Sequence, residues 1–131
     1  MVEMLVVIAI IGILASIIIR NLNMSRNFAH DASVMTSMES IRSHAQIFHT
    51  DHGYSFNDGT NSLCNDAQIM ILRQAASDET GHATTCNADA DSFAVWVELR
   101  ATANYFCVDS KSFSGQKDPS AFSNPLATTC P

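Results

Sequence analysis

MVEMLVVIAIIGILASIII, residues 1–19, carries sixteen apolar side chains, interrupted only by Glu3, Gly12 and Ser16. A soluble monomer does not leave such a surface bare, so this end belongs in a bilayer, against a partner, or in both by turns. Glu3 is the anomaly. An ionised carboxylate at the head of so apolar a run costs at least about 3 kcal/mol to bury in lipid without a partner. A chain that keeps it there calls for a counter-charge, and that requirement points to assembly.

Working outward, no proline occurs before Pro119, and the first glycine after Gly12 is Gly53. From Phe28 the apolar residues Phe28, Met35, Met38, Ile41, Ala45 and Phe48 follow steps that place them, with Ala32, on one helical stripe. Arg26, Asp31, Glu39, Arg42 and Gln46 fall mostly off it. The pattern predicts one helix from about Val2 to about Asp51, stopped by Gly53 and about 75 Å long. Its first half is apolar all round and needs lipid or copies of itself. Its second half is amphipathic and needs a domain to lie against. The division falls at residues 1–24, the hydrophobic membrane or filament-core half, and 25–131, the globular head.

Past the helix, Tyr54–Leu63 is turn-rich around Asn57-Asp58-Gly59. Asn65-Asp66 can cap a short helix over about Ala67–Ala76, extending in the coarser division to 66–77. Ser77–Asp91 reads as a polar loop. Ser92–Arg100 alternates, with Phe93, Val95, Val97 and Leu99 on one face and Ala94, Trp96 and Glu98 on the other. Ala101-Thr102-Ala103 then connects to a second strand, Asn104–Ser110, making a hairpin over about 92–110. A lone hairpin is marginal, and packing on the amphipathic half of the helix gives it a core. The tail from Lys111 reads as loop, with a short edge strand near Leu126–Cys130. The fold class is α+β.

Thirteen acids against seven bases give a net charge of −6 with no basic cluster, which argues against a direct nucleic-acid site. The four cysteines, Cys64, Cys86, Cys107 and Cys130, lie at spacings unlike those of zinc sites, and none forms a CxxC pair. They read as disulfides formed in an oxidising compartment, and by number alone permit three connectivities. A cleavable secretory signal ending at Ile13-Leu14-Ala15-Ser16 is the rival reading of the N-terminus. Such signals open with basic residues, whereas this segment opens with an acid and its helical pattern continues past Arg20.

MVEMLVVIAIIGILAS resembles the N-terminus of type IV pilins and their pseudopilin relatives. Processed chains of that superfamily begin Phe-Thr-Leu-Ile/Val-Glu-Leu/Met and continue as an apolar helix. In that register Met1 takes the third place, Glu3 the family's glutamate and Gly12 its mid-helix glycine. The likeness covers about the first fifteen residues, with Cys107-Val-Asp-Ser110 similar to a stretch in some pilin C-terminal regions. It implies a lollipop architecture, a long N-terminal helix on a small antiparallel head. It also implies a leader removed by a prepilin peptidase and two residues, the first a methylated Phe, ahead of Met1. Where many pilins carry a helix-kinking proline this chain has Arg20, which leaves Gly12 as the local weak point.

What the resemblance implies for function is a structural subunit. The chain would be held in the cytoplasmic (inner) membrane as a precursor. The pilus assembly machinery would then polymerise it into an extracellular helical homopolymer serving adhesion, motility or DNA uptake. Glu3 would pair with the N-terminal amine of a neighbouring copy and set the register, the alternative being a carboxylate snorkelling at the bilayer surface. Leu5, Val6, Ile8, Ile10, Gly12, Ile13 and Ser16 would pack the filament core, Gly12 and Ser16 offering small surfaces for close helix approach. The resemblance favours Cys64–Cys86 and Cys107–Cys130, because the family often closes its C-terminal region with one bridge near the chain end. The alternatives are a pseudopilin of a type II secretion system and a monomeric, membrane-tethered binding domain.

Other constellations in the chain carry weaker signals. His30, His44, His49 and His52 sit on the long helix, and the three-residue step from His49 to His52 has no further ligand at a convincing spacing. Asn87-Ala-Asp89-Ala-Asp91, with Glu98, resembles a calcium loop, but Ser92 stands at the glycine of the sharp turn and Phe93–Leu99 reads as strand. Trp96, Tyr105, Phe106, Phe93, Phe28 and Phe48 read as core aromatics. No GxSxG, P-loop or HExxH motif occurs, so neither enzyme activity, nor a cofactor, nor a metal site is expected.

Overall fold

The computed structural model describes residues 1–131 apart from the side chain of Arg20, so the reading attached to Arg20 lies outside the described residues. Helix α1 runs from Val2 to Asp51. It ends where Gly53 and then Tyr54 take positive φ (67° and 64°), which glycine does freely and tyrosine only under constraint. A 3-10 turn at Leu63–Asn65 leads into α2, Ala67–Thr80. Four strands follow: β1 (Thr85–Ala88), β2 (Phe93–Glu98), β3 (Tyr105–Asp109) and β4 (Ser114–Lys117), with a 3-10 turn at Pro119–Ala121. They form one antiparallel sheet in the order β1-β2-β3-β4. The layout is α+β: a long N-terminal helix plus a small antiparallel sheet.

Asp66 caps α2 by accepting from the Gln68 and Ile69 N–H groups at 3.0 and 3.1 Å, and Gly81 closes it in the left-handed region. The helix therefore runs on to Thr80, into the stretch read as loop. That stretch also holds β1. The tail likewise differs from its reading: the edge strand is β4, at Ser114–Lys117, and residues 126–130 form none.

The core lies between the amphipathic half of α1, α2 and one face of the sheet. Val34, Met38, Ile41, Ala45 and Phe48 of α1 meet Ile69 and Ala76 of α2 and Phe93, Val95, Val97, Phe106 and Val108 of the sheet, all buried. The second sheet face is buried too. Ala94, Trp96 and Cys107 are covered by Tyr105, Phe113, Phe122 and Cys130, so the C-terminal segment forms a further layer. Both disulfides close locally, Cys64–Cys86 and Cys107–Cys130, with Cα separations of 5.7 and 6.0 Å in the ordinary range. The first joins the turn before α2 to β1. The second fixes the tail to β3.

Candidate functional site: the apolar half of α1 and its attachment to the head

Every residue from Met1 to Ile19 is exposed. Leu5 is 62% and Ile13 63% exposed, values proper to a helix with nothing against it, and Val6, Ile8 and Ile10 are equally bare. By length and composition α1 is able to cross a membrane, and its most apolar window contributes nothing to the head's core. Gly12 faces open space, with no atom within 4 Å of where a Cβ would stand. One turn on, the Ser16 hydroxyl donates to the Ile13 carbonyl at 2.7 Å, which satisfies it inside its own helix. Gly12 and Ser16 together leave a shallow, hydrogen-bond-neutral stretch on an otherwise bulky surface.

Glu3 lies exposed in the first turn of α1, where the unsatisfied N–H groups of the helix favour a negative charge. Among the described residues no cation stands within ion-pair distance of it.

The second half of α1 is bound to the head by polar ties that sequence reasoning passed over. Asp31 is 3% exposed, and its carboxylate accepts from the Arg100 N–H at 2.8 Å and the Ala101 N–H at 2.9 Å. One helical residue thus holds the turn that joins β2 to β3. His30 meets Glu79 of α2, and Glu39 takes the Ser114 hydroxyl of β4. Arg42 donates to the Ser112 carbonyl at 3.4 Å and pairs with Glu39 at 2.9 Å. These ties begin at residue 30, beyond the apolar run. The stalk is fixed to the head at its far end and free of it at the near one.

The C-terminal layer has its own polar seam. The buried Asp109 accepts from the Lys111, Phe113 and Cys130 N–H groups at 2.9–3.0 Å. The Asn87 amide donates to the Pro125 and Ala127 carbonyls at 2.8 and 3.0 Å. Asp89 takes the Asp91 and Ser92 N–H groups together with the Ser92 and Thr128 hydroxyls. Burial raises the Asp89 pKa, and those four hydrogen bonds outweigh it and carry the group below the ordinary carboxylate value. Of the residues that resembled calcium ligands, Asp89 thus spends its carboxylate on holding a turn together, and Glu98 sits at the far end of β2 facing His82 at 3.7 Å.

The histidines are dispersed. The His52 ring stacks on Phe48 at 3.9 Å, with Nδ1 donating to the Phe48 carbonyl. His49 lies instead against Phe56 at 4.4 Å, and His44 faces Asp66 of α2. Asp31, read as lying off the apolar stripe of α1, is buried against partners that the fold sets, whereas Asp109 takes two of its three N–H groups from residues within four positions of itself.

Compared with protein-family models, curated proteins and solved structures, the chain matches none.

Proposed function

We propose that the chain is a structural subunit of the type IV pilin kind, a lollipop whose apolar stalk polymerises into a helical filament with the heads outermost. The observation that carries this reading is the contrast within one helix. Residues 1–19 of α1 are wholly exposed and apolar with an acid at position 3, while Val34 to Phe48 of the same helix are buried in a disulfide-stapled head. Before assembly the stalk sits in the membrane. On assembly it leaves lipid for the stalks of other copies, so each apolar side chain exchanges one water-free setting for another. Glu3 moves with it and takes the N-terminal amine of a neighbour as counter-charge, which selects one axial step among those that smooth apolar helices allow. Adhesion, motility and DNA uptake are the roles this architecture serves in the family.

Electron microscopy of filaments sheared from cells that produce the chain, with antibody against the head, tests the reading. Long labelled fibres are expected. Only short ones would mark a pseudopilin, and labelled membranes without fibres would mark a tethered binding domain. Mass spectrometry of the mature chain tests whether two residues, the first a methylated Phe, precede Met1.

A further inference from the structure

Arg73 has no counter-charge. It rises from the middle of α2 and is partly buried; its guanidinium donates to three neutral acceptors: the Thr84 hydroxyl at 3.2 Å, the Cys64 carbonyl at 3.0 Å and the Thr84 carbonyl at 3.1 Å. Among the described residues no carboxylate lies within 4.0 Å of it. The nearby acids of α2 are engaged elsewhere: Asp78 accepts from the Gln74 amide and Glu79 meets His30. A guanidinium has five N–H groups, so two remain without an acceptor among these contacts. Burial pushes the group below its ordinary pKa, as expected of a cation drawn out of water with only neutral partners.

The guanidinium also lines a cleft. About 260 Å³ lies between Met70, Arg73, Gln74, Ser77, Ala83 and Thr84. Ser77 accepts from the Thr84 N–H at 3.1 Å, and among the described residues no acceptor takes its hydroxyl proton. Arg73 and Ser77 therefore border a space large enough for a small ion, with two guanidinium N–H groups and one O–H not taken up by these contacts. Charges drawn from water normally find a partner, because an unmatched one forfeits solvation without return.

We propose that the cleft between α2 and the Ala83–Thr84 segment is an oxyanion-binding site, with Arg73 and Ser77 as its donors and a carboxylate or phosphate group as its ligand. The net charge of −6 opposes anions over the molecule as a whole, so binding here has to be local. One charge-assisted contact with a hydroxyl beside it suits half-saturation on the order of 1 mM. The inference is independent of the filament reading.

The test uses the full chain in detergent, with inorganic phosphate and acetate as separate arms against chloride at matched ionic strength. The readouts are Tm and the NMR resonances of the Arg73 Nε–H and the Ser77 and Thr84 amides. A rise of a few degrees in Tm and saturable shifts at those groups are expected. A response to phosphate alone would assign a tetrahedral ligand, a response to acetate alone a carboxylate, and a response to both a general oxyanion site. Arg73 also anchors Cys64 and Thr84, so its own removal risks loosening the fold. Met70→Glu avoids that by placing a carboxylate three residues before Arg73 on the same cleft, where a helix lets the two meet. That variant is expected to lose the response to both ions. No response in the native chain, or a response that survives in M70E, overturns the proposal.

Discussion

Asp31 is the residue on which the join between stalk and head depends most. Its carboxylate takes two N–H groups of the β2–β3 turn that have no other acceptor in the chain, so truncation removes the partner of both. Asp31→Ala is expected to cost about 1–3 kcal/mol in chemical denaturation, and Asp31→Asn less, because the amide keeps one acceptor oxygen. Equal stability of Asp31→Ala and the native chain would remove this account of the join. Asp89 makes a prediction in pH. Its pKa is depressed in the folded chain, so the stability it contributes is present above the unfolded value, near pH 4, and is lost as pH falls through the lower folded value. In Asp89→Asn the denaturation midpoint is expected to fall less steeply below pH 4 than in the native chain. In the sequence Asp31 was legible only as a polar position, and Asp89 only as one acid of a stretch resembling a calcium loop. The partners of Asp31 lie 69 and 70 residues away, and nothing local to Asp31 points to them.

Among the elements, those whose residues carry their own instructions were legible. The fifty residues of α1 contain no breaker but Gly12, and a stop stands at Gly53. The face of β2 toward the core follows from strict alternation, Phe93, Val95 and Val97, which Leu99 continues just past the strand. What was not legible was polar. Thr85-Cys-Asn-Ala and Ser114-Gly-Gln-Lys have weak intrinsic strand preference, and they become β1 and β4 because β2 and β3 offer them edges to pair with. The alternation also left open what lies on the Trp96 side, which the tail covers. That layer rests on Cys107–Cys130 and on the seam through Asn87, Asp89 and Asp109. Each disulfide spans a loop that stabilises by about 3 kcal/mol in the chain-entropy model. The two bridges are expected to differ in what their loss exposes. Cys107→Ala with Cys130→Ala should loosen the tail and shift the emission of Trp96, the single tryptophan, to the red. Cys64→Ala with Cys86→Ala should cost similar stability but leave Trp96 emission unchanged while the chain stays folded. Identical spectra from the two variants would show that the tail holds its place without the bridge.

At the scale of the whole molecule, one helix joins two surfaces that obey different solvents. The head satisfies its buried side-chain polar atoms within the chain, the carboxylates of Asp31 and Asp109 included, so it requires only water. The apolar half of α1 has no such closure. Residues 25–131 alone are accordingly expected to be monomeric without detergent, and the full chain to require detergent, lipid or its own copies. Association through apolar surface alone has no preferred register, since Leu, Ile and Val side chains pack acceptably at many offsets. Glu3 is what converts association into order under the proposed function. In a water-free bundle its charge tolerates only those offsets that bring an amine to it, and every other offset leaves a carboxylate unpaired at several kcal/mol. Glu3→Gln keeps the shape, the helix and the membrane affinity while removing that selection. Membrane levels of the variant should therefore match the native chain, while filament yield falls by more than about tenfold, equivalent to about 1.4 kcal/mol per subunit. Quantitative immunoblots of membrane and sheared fractions separate the two quantities. Glu3→Gln filaments at native yield and native helical order would mean that apolar packing alone sets the step, and Glu3 would then be a surface carboxylate with no part in assembly.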